Sequence, residues 1–391
     1  MKTLEVIFWI SLFVIFYTYL GYGILLYFMV KLKNIFHKPI YYYEQDTPEV
    51  TLFIAAYNEE EVVKDKMENT FAIDYPENAL KIVWVTDGSN DKTNELLKAY
   101  SNVIVLYEPE RRGKTAAINR GMKYVTSPII VFTDANTMIN KESIREIVNC
   151  FANKKVGCVA GEKRILVKDK DGATAGGEGL YWKYESTLKS LDSQLYSAVG
   201  AAGELFAIRK ELFEKMENDT LLDDFILSLR IAQKGYKIAY CDTAYAIETA
   251  SASMQDEEKR KVRIAAGGLQ SIWRLRSLLN IFRYGMLSFQ YVSHRVLRWS
   301  LTPILLFLLF PINLILALYC YNPLPYIIIL ILQCLFYIAG LWGYYLSTKS
   351  IKNKFLFIPY YFLFMNVNVI RGFFYLMKKK GSGVWEKAKR A

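Results

Sequence analysis

Twenty-five consecutive residues without a charge, VIFWISLFVIFYTYLGYGILLYFMV at 6–30, constrain the chain before anything else. About 20 apolar residues cross the hydrocarbon core of a bilayer as a helix. A cleaved signal peptide would have a shorter apolar region and a small-residue cleavage site. Here Lys31, Lys33 and Lys38 follow directly, so the segment is expected to be an uncleaved anchor. Three more apolar stretches lie at 299–319, 325–346 and 355–377, while 45–260 has ordinary globular composition. The 391 residues are 53% hydrophobic and carry a net charge of +11, too apolar for a purely soluble protein and too charged to lie wholly in a bilayer. The expected organisation is an anchor at 1–38, a globular domain at 45–260, an amphipathic interfacial region at 261–298, apolar segments at 299–377 and a basic tail at 378–391.

Charge beside the spans sets the expected orientation. Basic residues collect on the cytosolic side. Lys31, Lys33 and Lys38, and then Lys349, Lys352 and Lys354, place the globular middle in the cytosol, and the uncharged CYNPLP turn suits the outside. The chain is therefore expected to be a multi-pass protein of the plasma (inner) membrane, with the lipid bilayer as a partner. Because the basic charge clusters at the spans, no nucleic acid is expected. The segment 355–377 carries Pro359 early and Asn366, Asn368 and Arg371 late. A central arginine is costly in a bilayer. That segment is expected to be re-entrant or partly interfacial, returning the tail and Trp385 to the cytosol; the alternative is a plain fourth crossing that leaves the tail outside. LQSIWRLRSLLNIFRYGM, 269–286, spaces Leu269, Ile272, Leu275, Leu279, Phe282 and Met286 as an amphipathic interfacial helix would. The five cysteines, Cys150, Cys158, Cys241, Cys320 and Cys334, have neither zinc spacing nor CxxC.

The middle alternates apolar runs with helix-compatible segments. EVTLFIAAYNEE (49–60), KIVWVTDGSN (81–90), NVIVLYEP (102–109) and IIVFTDAN (129–136) read as strands. Such alternation implies βαβ units, a mostly parallel sheet flanked by helices, and ligand binding outside the carboxyl ends of the strands. Tyr57, Asp87 and Asp134 fall at that edge. Singly, Asp87-Gly88-Ser89 is only a turn or helix cap, and Arg111-Arg112-Gly113-Lys114 only a solvated loop; their joint occurrence in order points to a site. Asp87 and Asp134 supply acceptors for ribose hydroxyls, a base N–H or a cation. Lys114 opens a helix, where backbone N–H groups and the helix dipole favour phosphate. Carboxylates beside a phosphate repel it unless a divalent cation intervenes. Asp134 and Asn136 would then face a nucleotide diphosphate, directly or through a metal.

LLDDFILSLRIAQKG (221–235) opens on Asp223 and Asp224. They read either as an acidic first turn or as a general base, and on chemistry alone either aspartate can serve. The two histidines, His37 and His294, sit beside spans and do not compete for that role. Arg260 and Arg263, three apart, share a helix face and suit a diphosphate clamp or a basic face near lipid.

These motifs together, AAYNEE (55–60), TDGSNDKT (86–93), RRGKTAAIN (111–119), TDAN (133–136), LDDF (222–225) and RKVRI (260–264), resemble those of the family-2 glycosyltransferases with a GT-A fold and membrane helices, in order and spacing. SGVWEKAKR (382–390) also resembles the tail of that group. The resemblance implies an α/β, GT-A-like sheet with transmembrane helices at both ends. It implies inverting transfer from a nucleotide sugar, a UDP-sugar first, to a lipid-linked or saccharide acceptor, with a divalent cation, Mg or Mn. By position, Ala56, Tyr57, Glu59 and Asp87 would hold base and ribose, and Lys114, Asp134 and Arg263 the rest of the donor. Asp134 and Asn136 would meet the metal, and Asp224 would be the base. Glu204, in Gly203-Glu204-Leu205-Phe206, and Asp223 would lie on the acceptor side. Asn136 replaces an aspartate common in the family, which implies a weaker metal site. RKVRI lacks the glutamine and tryptophan of QxxRW, an element of processive synthases, so a synthase that translocates its own polymer is the second reading.

Overall fold

The computed structural model describes residues 1–36, 47–166, 173–249, 251, 253–349, 351 and 353–378. Lys38, His37, Lys352 and the tail from 379 on, with Trp385, lie outside them.

An eight-stranded sheet forms the centre: β1 (Val50–Ala56), β2 (Leu80–Asp87), β3 (Val103–Glu108), β4 (Ile129–Asp134), β5 (Met138–Ile139), β6 (Val156–Leu166), β7 (Leu205–Arg209) and β8 (Lys237–Thr249). Its order is β3-β2-β1-β4-β7-β6-β8-β5. The first four strands are mutually parallel; β7 joins antiparallel to β4 and to β6, and β8 runs parallel to β6. Side chains of a strand alternate between faces. Accordingly Phe53, Val83, Val85, Ile130 and Phe132 build the core on one face, and Leu52, Ile54, Ile82, Trp84 and Val131 that on the other. Helices cover both faces, which is why β1, apart from Thr51, is apolar on both sides rather than alternating. Register does the functional work. Ala56 pairs with Thr86, Asp87 with Glu108, and Ala55 with Asp134, so three polar strand ends share one edge, as the sequence predicts.

Among the described residues, four helices are long and apolar enough to cross a membrane: Lys2–Phe36, Leu301–Tyr319, Leu324–Thr348 and Phe355–Lys378. Phe8 packs with Leu309, Leu316 and Tyr326, while the later turns of the first helix descend onto the sheet domain, where Tyr22 packs with Leu188. The last helix, Lys354–Lys378, is unbroken despite Pro359. It lies along the Met254–Arg274 helix: the Tyr361 hydroxyl donates to Glu257 Oε1 (2.9 Å), Arg371 pairs with Glu258, and a Cβ on Gly372 would meet the Ala265 Cβ at 2.6 Å.

The stretch 269–286 differs from the single amphipathic helix expected. The helix stops at Arg274, a 3-10 turn spans Arg276–Leu279, and Gly285 takes φ +50°. Leu275 and Leu278 turn into the core, whereas Trp273, Leu279, Ile281 and Phe282 are exposed. Core packing divides an apolar set that helical spacing alone would have placed on one face.

Candidate active site

The loops after β1 and β2 are tied together. Asn58 adopts φ +52°; its backbone N–H donates to Ser89 Oγ and its side-chain amide to Asn90 Oδ1. The Glu59 N–H donates to Thr93 Oγ1. Asp87 is buried and accepts from the backbone N–H groups of Arg112 (3.0 Å) and Gly113 (2.6 Å). That anchor fixes the 111–113 loop so that the Arg111 guanidinium lies 3.6 Å from the Tyr57 ring centroid. Gly88 is required here: its φ is +71° and a Cβ would stand 2.8 Å from the Arg111 backbone nitrogen. The basic run is therefore a folded part of the edge, not a solvated loop. Ala56 is buried and Glu59 half-buried beside it.

At the end of β4, Lys114 Nζ donates to Asp134 Oδ1 at 2.6 Å and stands 3.9 Å from Asp223 Oδ2. Burial works against the Lys114 charge, but Asp134 and Asp223 raise its pKa above the ordinary lysine range. Beneath the turn, the fully buried Lys66 donates to Thr133 Oγ1 and to the Thr137 carbonyl (2.6 Å). Burial pulls its pKa down to about 7, against the pull of Asp134. Thr133 also donates to the Glu204 carbonyl, tying the turn to the segment before β7.

A cavity of about 220 Å³ opens in front of this edge, lined by Lys114, Asp134, Glu204, Asp223, Asp224 and Arg263. Both aspartates begin the Asp223–Gln233 helix. Asp223 Oδ2 is buried with no hydrogen-bond partner among the described residues. Asp224 Oδ1 accepts from the Phe225 N–H (2.8 Å). Burial first, and then the Asp223 charge, push the Asp224 pKa up to about 7, with Lys114 acting the other way. Gly203 leaves room between these groups: a Cβ there would meet Lys114 Nζ at 3.2 Å and Asp224 Oδ2 at 3.4 Å. The arrangement can hold a phosphate near Lys114 and receive a proton at Asp224.

Glu204 is held by its neighbours. Lys163 pairs with both Glu204 and Glu248, and Arg260 lies 3.7 Å from Glu204 and 3.5 Å from Glu257. Burial opposes its ionisation, yet the Lys163 and Arg260 charges hold its carboxyl below the usual range. Arg260, which the sequence left as either half of a diphosphate clamp or part of a basic helix face, joins this ion-pair network, because three carboxylates surround it, and also lines the cavity.

The predicted site residues thus fall into two groups. Lys114, Asp134, Glu204, Asp223, Asp224 and Arg263 line one cavity; Ala56, Tyr57, Glu59 and Asp87 lie along the neighbouring strand ends, off its lining. Asn136 sits half-buried in the turn after β4, also off the lining. Asp134 keeps one oxygen beyond that held by Lys114, and among the described residues no group of three or more acidic, histidine or cysteine side chains converges. Such a donor set holds Mg or Mn only when phosphate oxygens and water complete the shell, and it fits that arrangement.

Sequence reasoning missed the far wall of the cavity: Trp182, Lys189, Arg295, Trp299, Met365 and Val369. The one signal available was the pair of arginines in HRVLRW (294–299), which precede a span more closely than an interfacial flank requires.

The model of a family described as "Glycosyltransferase like family 2" matches residues 48–267. The poly-beta-1,6-N-acetyl-D-glucosamine synthase of Staphylococcus aureus (strain COL) is 26% identical over 235 residues, 58% of this chain and 56% of that protein. The probable glycosyltransferase YdaM of Bacillus subtilis (strain 168) is 24% identical over 245 residues, 57% of this chain and 56% of that protein. The chain spans just over half the length of each of these relatives. Among solved structures, the mannosyltransferase PcManGT from Pyrobaculum calidifontis, in complex with GDP-Man and Mn2+, superposes with a TM-score of 0.72 at 20% identity, over 97% of this chain and 100% of that one. That likeness shows the fold, a GT-A sheet with its apolar helices.

Proposed function

Since the chain belongs to glycosyltransferase-like family 2, we propose that it is an inverting enzyme moving a sugar from a nucleotide sugar to a lipid-linked or saccharide acceptor at a membrane. The observation that carries this reading is the cavity itself. Its one lining brings together the Lys114–Asp134 pair, the Asp224 carboxyl, and Met365 and Val369 of the last apolar helix.

The donor's base and ribose lie along Tyr57, Glu59 and Asp87, with Arg111 over Tyr57 closing that side. The diphosphate sits at the start of the Lys114–Gly121 helix, where Lys114 and Arg263 offset its charge. Asp224 accepts the acceptor hydroxyl proton as that oxygen attacks the anomeric carbon, and the bond to the diphosphate breaks in line. A base near pH 7 suits a hydroxyl acceptor, since it is both largely available and basic enough at working pH. Glu204 and Asp223 face the acceptor side. Asp134 and Asn136 would hold a divalent cation, Mg or Mn, which supplies positive charge at the leaving diphosphate. The sheet domain lies in the cytosol and the apolar helices make several passes through the plasma (inner) membrane.

The experiment is a donor screen. Detergent-purified full chain is offered UDP- and GDP-sugars with Mn2+, and nucleoside diphosphate release is measured. Turnover of one donor, abolished in Asp224→Asn, supports the reading; no turnover of any donor overturns it. The second reading, a processive polysaccharide synthase, draws on the poly-beta-1,6-N-acetyl-D-glucosamine synthase relative. Product length separates the two.

A further inference from the structure

The cavity lining also holds a cation that the transfer chemistry above does not use. Lys189, on the Ala173–Leu195 helix, is 5% exposed and lines the cavity. Among the described residues its ammonium makes no hydrogen bond or ion pair; its recorded neighbour is the Trp182 ring, 5.8 Å to the centroid. The carboxylate one turn earlier is already taken. Glu185 Oε1 receives Arg295 (2.5 Å) and His294 Nε2 (3.0 Å), and its Oε2 receives Arg298 (2.9 Å). Asp192 is taken by Tyr22, by Gln290 (3.0 Å) and by His294 Nδ1 (2.6 Å). Glu185, Glu204 and Asp224 all act on the Lys189 charge from a distance, but none of them touches its ammonium, so at contact range that charge is in excess. A buried charge is tolerated when it is paired. Here burial first, and Arg295 second, push the Lys189 pKa down. Next to this excess the lining turns apolar, with Trp299, Ile264, Met365 and Val369. The last two belong to a helix apolar enough to cross a membrane.

We propose that Lys189 and Arg295 bind a phosphate group carried on an apolar chain, so that the acceptor is a phosphorylated lipid whose chain leaves the cavity past Met365 and Val369. The inference rests on the reading of this cavity as an acceptor site. It adds that the acceptor is recognised by an anionic handle, bound and not consumed, while a separate hydroxyl of the same lipid-linked molecule attacks the anomeric carbon and gives its proton to Asp224. The juxtaposition is chemical: an unpaired buried ammonium with a guanidinium for the phosphate, and an apolar exit toward the membrane helices for the chain. The carboxylates Glu204 and Asp224, which line the same cavity, disfavour placing the anion nearer the base.

Binding is measured without any donor, so the result stands whether or not the donor screen finds turnover. Purified full chain in detergent is titrated with decyl phosphate, decanol or inorganic phosphate, and Trp fluorescence is followed, since Trp182 and Trp299 flank the subsite. Decyl phosphate is expected to bind saturably and at least tenfold more tightly than decanol or inorganic phosphate. Lys189→Met should weaken decyl phosphate binding at least tenfold, and Lys189→Arg should restore most of it. Equal affinity for decanol would reduce the subsite to an apolar groove and overturn the proposal. Equal affinity for inorganic phosphate would make it a free-anion site and overturn the lipid assignment. Unchanged binding in Lys189→Met would overturn the role of the lysine. The comparison of the three probes on the unmodified protein decides the question even if Lys189→Met does not fold.

Discussion

Replacing Asp224 by asparagine keeps the shape of the side chain and removes its ionisation, and the structure gives both consequences a size. Asp224 is displaced from an ordinary 3.8 to about 7 by burial and by Asp223. If it is the base, roughly one molecule in ten carries the active form at pH 6 and roughly nine in ten at pH 8. The acceptor-dependent rate should therefore rise about tenfold over that interval, and Asp224→Asn should lower it at least about 100-fold at pH 8. Stability moves the other way. A carboxyl whose folded pKa lies above its unfolded value holds its proton more tightly in the folded chain. Ionising it costs no stability below pH about 4, where both states are protonated, and costs the full amount above pH about 7. The displacement corresponds to an upper bound of roughly 4 kcal/mol. Asp224→Asn should thus unfold at a higher temperature than the unmodified protein at pH 8, and the gap should narrow steadily toward pH 5. The assays are pH–rate profiles of donor turnover and thermal unfolding in detergent. A flat rate profile from pH 6 to 8, or a larger loss of rate in Asp223→Asn than in Asp224→Asn, would refute the reasoning.

Three other outcomes are expected. Chelation should abolish transfer and Mn2+ or Mg2+ restore it, while Asn136→Asp should lower the metal concentration for half-activity; full activity in excess chelator would remove the cation from the account. Gly88→Ala forces a Cβ into a φ of +71° against the Arg111 backbone; strain of about 1–2 kcal/mol and displacement of the 111–113 loop should weaken nucleotide binding by calorimetry, and unchanged affinity would mean that the Tyr57–Arg111 pair is not part of the donor site. Tyr321, fully exposed between the second and third apolar helices, should as Tyr321→Cys with Cys320→Ser react with an impermeant thiol reagent in intact cells; labelling only after permeabilisation would invert the proposed orientation.

Much of this was legible in the chain because it is local. A strand that ends in a polar residue announces its edge, and three such ends in order announced a common one; parallel register then brought the ends of β1, β2 and β4, with Ala56, Asp87 and Asp134, to within a residue or two of one another. Lys114 and Asp224 were legible because each opens a helix. What was not legible depends on distant charges meeting. Lys66 looks like any surface lysine of a short helix until it is found buried under Thr133 and Thr137. Arg260 and Arg263 share a helix, but only the arrival of Glu204 and Glu248 from other elements binds Arg260 into a network. Lys189 and Arg295 are more than a hundred residues apart and line one cavity only because the first apolar helix, through Tyr22, and the helix turns at 286–299 close on the Ala173–Leu195 helix. The break within 269–286 followed from core demand for Leu275 and Leu278, which spacing cannot weigh against the bilayer.

The central claim is a single in-line displacement with Asp224 as base, and the configuration of the product tests it most directly. The donor found in the screen, α-linked at its anomeric carbon, is turned over by the purified protein, and the product is read by proton NMR before it can equilibrate. The account predicts a β-linked product, formed only with Asp224 in place. An α-linked product would require two displacements or a front-side attack, and would contradict it.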